Sequence, residues 1–327
     1  MQLQSAPRPL RIVIPGGSGK LGQILASRFS ARGDQVTIIA RNPEPSEQWR
    51  SSIWDGRTVA AWAADLENAD VVINLAGRSV NCRYNVENKR VIKESRTVTT
   101  RLIGEAIIRS NNPPTVWMNA STATIYRHAF DRPMDEHTGE LGGSELDAPS
   151  TWQFSIDVAK SWEDTFFAAD TPNTRKLALR TAIVMSPQHD GTFDILLGLV
   201  RRGLGGPDGT GTQYVSWIHD EDFFNAIEFL IRCDAIAGIV NLSSPNPLPN
   251  REFMAVLRAK WGTRLGLPAP AWLLEIATYF MKTESELVLK SRRVVPTRLL
   301  DAGFTFAFPH WPEAAEDLVY RWRVAHP

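Results

Sequence analysis

The chain opens with an ordered alternation of apolar and amphipathic segments. Residues 10–14 form a mostly apolar run that predicts a buried strand, and glycines follow it directly. Apolar residues then recur with the spacing of one helix face, at Leu21, Ile24, Leu25 and Phe29. Gly33-Asp34 ends this helix, and residues 35–39 predict a second strand. The pattern is strand, glycine turn, helix, strand.

The alternation continues to about residue 185. Further strands are predicted at residues 71–75, 115–119 and 176–184, with helices around residues 86–110 and 157–169. Strands that alternate with helices in this way are typical of a parallel sheet covered on both faces. We therefore predict an α/β fold, a Rossmann-type doubly wound parallel sheet.

The alternation weakens beyond residue 185. A glycine-rich stretch at residues 201–211 precedes a short predicted strand at 214–218 and a helix at 221–232. Two more helices are predicted at residues 251–261 and 271–280, separated by prolines.

These patterns predict a division of the chain. Residues 1–9 form a flexible tail, residues 10–185 the nucleotide-binding domain, and residues 186–327 a smaller substrate lobe with a carboxyl-terminal segment. Residues 215–240 are expected to return to the main sheet.

Composition narrows the classes of partner. Acidic and basic residues balance at 36 each, which gives no general attraction to nucleic acid or an anionic membrane. Cys82 and Cys233 lie far apart, with no spacing for a disulfide framework or a thiolate metal site, and the histidines show no ligand spacing. We expect a cytoplasmic protein with a small-molecule substrate and no metal; the oligomeric state stays open.

The glycines after the first strand form a GxxGxxG turn, from Gly16 to Gly22. Glycine there permits a tight turn and close approach of the backbone to a pyrophosphate, and the amides of the helix start face the phosphates. A P-loop is excluded, because Ile14 and Leu21 occupy positions that need Gly and Ser or Thr. The cofactor-binding residues predicted in the turn are Gly16, Ser18, Gly19, Lys20, Leu21 and Gly22.

The second strand ends in Ala40-Arg41, where NAD enzymes of this architecture usually carry Asp or Glu. A guanidinium suits the 2′-phosphate of NADP, whereas a carboxylate repels it, and Lys20 adds a second positive charge nearby. The predicted cofactor is therefore NADP.

Several motifs together resemble the extended short-chain dehydrogenase/reductase superfamily, and more narrowly its NAD(P)-dependent epimerase/dehydratase-like subfamily. They are residues 71–77 (VVINLAG), Ser95-Arg96, residues 179–181 (LRT), 203–207 (GLGGP), Gln213, residues 216–219 (SWIH), and the tail from Leu267 through 295–296 and 299–304. The resemblance covers nearly the whole chain. It implies a sugar, a nucleotide sugar or another small polar substrate, but no defined reaction.

The resemblance also assigns residues. Leu75, Ala76, Gly77 and Ile183 are expected to bind the cofactor, and Arg96 and Gln213 the substrate. Trp217 either stacks on the substrate or belongs to the core, and the sequence leaves both open.

The catalytic Tyr-x-x-x-Lys pair of the superfamily is missing from the sequence. Alignment on Trp162-Glu163 puts Ser155 at the tyrosine position and Ala159 at the lysine position. The hydroxyl at the strand end survives as Thr122. Tyr126 is a candidate proton donor, since a serine hydroxyl can orient a substrate but is too weak an acid to replace tyrosine.

Two functions fit this pattern. One is an NADP-dependent epimerase or oxidoreductase with an unusual acid. The other is a non-catalytic sensor that binds NADP, for which the missing pair is the main support.

Overall fold

The computed structural model describes residues 8–145, 152–268 and 286–326. Its strands are β1 (Arg11–Pro15), β2 (Gln35–Ala40), β3 (Arg50–Ile53), β4 (Val71–Asn74), β5 (Val116–Thr122), β6 (Arg175–Thr181), β7 (Ile183–Met185), β8 (Tyr214–Val215), β9 (Trp217–His219), β10 (Gly238–Leu242) and β11 (Leu248–Pro249). Its helices are α1 (Lys20–Ala31), α2 (Val86–Arg109), α3 (Gln153–Ala168), α4 (Thr192–Arg201), α5 (Asp220–Arg232), α6 (Asn250–Trp261), α7 (Glu286–Leu289), α8 (Thr297–Asp301) and α9 (Trp311–Ala325).

Seven strands form one sheet in the order β10-β6-β5-β4-β1-β2-β3. The pairs β1–β2, β1–β4, β2–β3 and β4–β5 are parallel. Strands β4 and β1 are neighbours although a long stretch of chain separates them, which is the crossover of a doubly wound sheet. The Rossmann-type fold expected from the alternation is confirmed.

The structure differs from the predicted strands at three places. Strand β3 escaped prediction because its sequence, RSSI, is short and mostly exposed at the sheet edge. The strand predicted at residues 176–184 breaks at Ala182, because β7 leaves the main sheet and pairs with β9. The strand predicted at residues 214–218 likewise divides, since β8 pairs with β11.

By its internal contacts the chain divides into two units. The first contains Met1–Gly77, Glu94–Ala120 and Asp164–Ala178; the second contains Arg78–Lys93, Ser121–Glu163 and Leu179–Pro327. The domain boundary predicted at residue 185 stays a prediction. The helix predicted at residues 271–280 and most of the predicted tail lie outside the described residues, but the Arg8 guanidinium donates to the Asp70 carboxylate at 3.0 Å.

The first unit is built on the central strands and the glycine turn. The strands β1, β2 and β4 are almost entirely buried, as the continuous apolar pattern predicts for strands covered on both faces. Trp117 in β5 packs edge-on against Phe166, with ring centroids 4.6 Å apart. Within the described ranges, no helix is both long and apolar enough to cross a membrane.

An aromatic cluster of the second unit is centred on Trp311, at the start of α9. Trp311 is fully buried and stacks on Phe253 at a centroid distance of 3.9 Å. Its indole N–H donates to the Phe253 carbonyl at 2.9 Å, and Trp217 packs edge-on against it. Trp217 is thus buried in this core, and its predicted contact with a substrate stays untested.

We predict that Trp311→Ala destabilises the protein by about 3–5 kcal/mol, because it leaves a large cavity beneath Phe253 and Trp217. Tyr320→Ala, on the same helix but with a residue that is 67% exposed, should change stability by less than about 0.5 kcal/mol. Urea unfolding followed by circular dichroism measures both. Equal losses in the two variants would contradict the assigned core.

Candidate functional site

In the first unit, the glycine turn is shaped by close approaches that exclude side chains. Gly16 has a positive φ of 78°, and a Cβ there would lie 2.5 Å from the Ala76 nitrogen. A Cβ on Gly22 would lie 2.4 Å from the Gly17 Cα. Such distances are far below contact, so these positions require glycine for folding. The backbone of the turn at Gly16 is consequently packed directly against the backbone of the loop after β4.

Gly19 differs from its neighbours in the turn. It is exposed, and a Cβ added there would have the Gly16 carbonyl oxygen as its nearest atom, at 3.6 Å, an ordinary contact. Gly19 is the N-cap of α1 and has no capping side chain. Ser18 and Lys20 beside it are exposed as well. A ligand phosphate can therefore approach the amides of the helix start, and the residues present fit a dinucleotide.

A buried amide network positions the loop after β4. The Asn74 side chain accepts from the Ala76 amide at 3.0 Å and donates to the Asn119 side chain at 2.6 Å. Thr100 of α2 donates to the same Asn119 oxygen at 3.1 Å. The predicted cofactor residues of this loop, Leu75, Ala76 and Gly77, thus have a fixed backbone.

Arg96 lies against this loop. A Cβ added to Gly77 would be 3.3 Å from the Arg96 guanidinium carbon. The role of Arg96 in substrate binding stays a prediction.

Arg41 follows β2 directly and is exposed. A cavity of about 640 Å³ lies beside it, lined by Ser18, Gln23, Ile38, residues 42–49 and Ser51. The cavity joins the glycine turn to the end of β2, where the adenosine half of a dinucleotide binds in this architecture.

In the second unit, a buried ion pair joins three of the sequence motifs. Arg180 donates to both oxygens of Glu163, at 2.9 and 2.7 Å, and Ser121 donates to Glu163 at 2.5 Å. Burial opposes the charge of Arg180, but the Glu163 carboxylate more than offsets this and raises the pKa of the guanidinium. The Arg180 guanidinium also lies over the Tyr126 ring, 4.8 Å from its centroid.

Tyr126 belongs to this core. It is 1% exposed, its hydroxyl donates to the Asn241 side chain at 3.0 Å, and burial raises its pKa. A raised pKa and an occupied hydroxyl make proton donation to a substrate harder. The geometry therefore gives no support to the prediction of Tyr126 as the acid.

Thr122 is half-buried at the end of β5. Its hydroxyl oxygen accepts from the Thr124 amide at 3.2 Å and so caps the short 3₁₀ helix Ala123–Ile125. That bond occupies a lone pair of the oxygen and leaves the hydroxyl able to donate. Thr122 remains the candidate for contact with a reacting oxygen.

Ser155, at the position of the family tyrosine, has a partner that the sequence did not predict. Its hydroxyl donates to Glu286 of α7 at 2.6 Å, across 131 residues of chain. The other Glu286 oxygen lies 3.8 Å from the Lys290 ammonium. Burial, with Arg292 close by, lowers the pKa of Lys290 to about 8. No local spacing signals this cluster, because Ser155 and Glu286 are 131 residues apart in the chain.

The remaining candidates have structural surroundings. Gln213 is buried and donates to the Asp208 carbonyl at 2.9 Å, which holds the glycine-rich loop. Ile183 is half-buried beside the aromatic cluster of Trp311. Their predicted roles in binding stay untested. His189, Asp190 and Asp194 lie together at the surface, but both Asp194 oxygens accept hydrogen bonds from the protein, and we assign no metal there.

The fold and the glycine turn define a nicotinamide-dinucleotide protein of the short-chain dehydrogenase/reductase type. A family model described as the NAD dependent epimerase/dehydratase family matches residues 12–243, and the chain belongs to this family. A second model, described as a domain of unknown function (DUF1731), matches residues 269–318. The resemblance stated from the sequence is confirmed.

Individual relatives match nearly the whole chain. The human epimerase family protein SDR39U1 is 28% identical over 315 residues, which is 95% of this chain and 100% of the relative. The crystal structure of its isoform 2 with NADPH has a TM-score of 0.81 at 26% identity, over 94% of this chain and 99% of that one. A nucleoside-diphosphate sugar epimerase from Corynebacterium glutamicum has a TM-score of 0.74 at 27% identity, over 96% of this chain and 59% of that one.

We predict that Gly19→Val folds normally but loses more than about 10-fold in NADPH affinity, because the side chain blocks phosphate approach to the α1 amides. The backbone of Gly19, at φ −76° and ψ 165°, accommodates any residue. Gly22→Val is the matched change and should instead lower the melting temperature. Fluorescence titration and thermal circular dichroism separate the two. Unchanged affinity in folded Gly19→Val would place the cofactor elsewhere.

Proposed function

We propose that the protein is an NADP-dependent epimerase or oxidoreductase that acts on a small polar molecule, with a nucleotide sugar as the first candidate. The observation that carries the proposal is the open start of α1 between glycines that exclude side chains, followed by a cation, not a carboxylate, after β2. Two relatives support it, the human protein with its bound NADPH and the nucleoside-diphosphate sugar epimerase from Corynebacterium glutamicum.

The residues that would hold the cofactor are divided along its length. The α1 amides and Ser18 would receive the pyrophosphate, and Arg41 with Lys20 the 2′-phosphate. Leu75 to Gly77, fixed by Asn74, would line the nicotinamide ribose. Bound nicotinamide supplies hydride acceptance or donation.

The substrate side of the proposal rests on Thr122. Its hydroxyl can donate a hydrogen bond to an oxygen at which charge develops. The hydrogen bond from the Thr124 amide holds the Thr122 oxygen in place. Stabilisation of a reacting oxygen needs such a fixed donor.

A non-catalytic NADP sensor is the second candidate. The specific observation in its favour is that the usual acid is absent at both expected positions, with Ser155 for tyrosine and a fully buried Ala159 for lysine. A sensor binds the cofactor but turns over no substrate. An activity assay together with a binding assay therefore distinguishes it from an enzyme.

We predict that the unmodified protein binds NADPH more tightly than NADH and that Arg41→Ala removes about 10- to 100-fold of NADPH affinity, as expected for a charge-assisted hydrogen bond. NADH affinity should stay unchanged, because NADH has no 2′-phosphate. Arg57→Ala, an exposed arginine of the same unit, is the control. Equal affinities of the unmodified protein for both cofactors would refute the NADP assignment.

We predict that Thr122→Val lowers kcat about 100-fold while NADPH affinity is retained, and that Thr122→Ser keeps most of the rate. The substrate would be sought with NADPH or NADP and a panel of UDP-glucose, UDP-glucuronic acid, UDP-N-acetylglucosamine, quinones and small carbonyl compounds. Because valine also removes the turn cap, rates are normalised to folded protein. If the valine variant turns over like the parent, Thr122 is not at the reaction centre. A wholly inert panel with tight NADPH binding would favour the sensor.

A further inference from the structure

The Ser155 hydroxyl is hydrogen-bonded to a buried carboxylate. It is half-buried, while its partner Glu286 is only 2% exposed. The Ser155 hydroxyl hydrogen is directed at Glu286, with an oxygen–oxygen distance of 2.6 Å. The lone pairs of the Ser155 oxygen are therefore available to a third group. The Glu286 carboxylate is thus more deeply buried than the serine.

Charged groups around Glu286 favour its ionised form. Lys290, one turn further along the chain, is 3.8 Å from the second carboxylate oxygen, and Arg292 donates to the Glu286 carbonyl at 3.2 Å. Glu145 acts on Lys290 and Tyr84 on Arg292 at longer range. A buried carboxylate needs such cations to remain charged.

The same cluster reaches the turn capped by Thr122. The Lys290 ammonium donates to the Thr124 carbonyl at 2.9 Å, and the Arg292 guanidinium donates to the Thr124 hydroxyl at 3.1 Å. The Thr124 amide donates to Thr122. Thus hydrogen bonds and an ion pair link the two hydroxyls that stand at the family's catalytic positions, Thr122 and Ser155, through the carboxyl-terminal segment.

We propose that Ser155 and Glu286 form a proton relay that replaces the missing Tyr-x-x-x-Lys pair. The proposal rests on the proposed function, which supplies the redox half of the reaction; the relay moves only a proton. When a substrate hydroxyl is oxidised, its proton passes to the Ser155 oxygen while the proton of Ser155 passes to Glu286. One substrate O–H bond breaks, one Glu286 O–H bond forms, and the carboxylate becomes a neutral acid. Reduction of a carbonyl runs the same transfers backwards.

A serine alone could not perform this step. Its hydroxyl is too weak an acid or base near neutral pH, and an adjacent base removes this limit, as in serine-dependent acyl transfer. Ser155 would touch the substrate, and Glu286 acts through it. Lys290 and Arg292 position Glu286 and hold its charge.

The test compares Ser155→Ala and Glu286→Gln with Ser110→Ala, in the full chain and with the substrate found on the nucleotide-sugar and carbonyl panel. Ser110 is the matched control, because its hydroxyl also donates to a glutamate, Glu67, at 2.6 Å, and it belongs to the other unit. We expect a fall in kcat of about 100-fold or more in the two relay variants and little change in the control. Glu286→Asp should recover part of the rate.

Two readouts separate a relay from a structural role. The acidic limb of the kcat profile for alcohol oxidation should disappear in Glu286→Gln, because the relay requires an ionised carboxylate. In the protein without substrate, the ¹³C carboxyl signal that is missing from Glu286→Gln should titrate at higher pH in Ser155→Ala, since a hydrogen bond to the charged form is lost. NADPH affinity should stay within about twofold in every variant, as expected for groups that do not bind the cofactor.

The relay is overturned if folded Ser155→Ala or Glu286→Gln keeps kcat within about threefold of the parent, or if the acidic limb persists in Glu286→Gln. In that case the proposed function stands, since the parent still turns over. Absence of turnover in the parent with tight NADPH binding overturns the proposed function and the relay with it. The carboxyl titration then still reports whether Ser155 contacts Glu286.

Discussion

The second unit depends on one buried ion pair, between Glu163 of α3 and Arg180 of β6. Removing either partner would leave an isolated charge in the core, at a cost of about 3–5 kcal/mol. The pair draws Ser121 of β5 into a hydrogen bond and holds a cation over the Tyr126 ring. It thereby fixes the part of α3 that carries Ser155 relative to the end of β5. Polar residues of the sequence motifs thus set the positions of the candidate catalytic residues Thr122 and Ser155.

In the first unit, close contacts between backbone atoms determine the local structure instead of an ion pair. Gly16 and Gly22 allow backbone to meet backbone, while Gly19 leaves the start of α1 open. The three glycines of one motif therefore divide between folding and ligand approach. Asn74 holds the next loop by accepting a hydrogen bond from the Ala76 amide. The backbone is therefore held in place at both surfaces offered to the two ends of a dinucleotide.

Periodicity predicted the sheet and the helices from α1 to α3, since buried parallel strands and amphipathic helices leave strong local patterns. It failed where the pattern is weak or where pairing changes, as in the exposed edge strand β3 and at Ala182. Ser155 was located by resemblance, but its partner Glu286 was not, because a hydrogen bond across 131 residues has no local signature. The core position of Trp217 was undecided for a different reason, since apolar aromatic residues line both cores and ligand sites.

The distance along the chain between Ser155 and Glu286 also bears on how the protein is made. At a synthesis rate of about 5–20 residues per second, the ribosome takes roughly 7 to 26 seconds to add the 131 residues that follow Ser155 up to and including Glu286. Trp311, which completes the aromatic cluster of Trp217 and Phe253, leaves the ribosome later still. Until then, Ser155 of the nascent second unit lacks its partner Glu286, and the apolar side chains that pack against Trp311 are not yet covered. The first seventy-seven residues, by contrast, already hold every glycine of the nucleotide turn and the Asn74 loop.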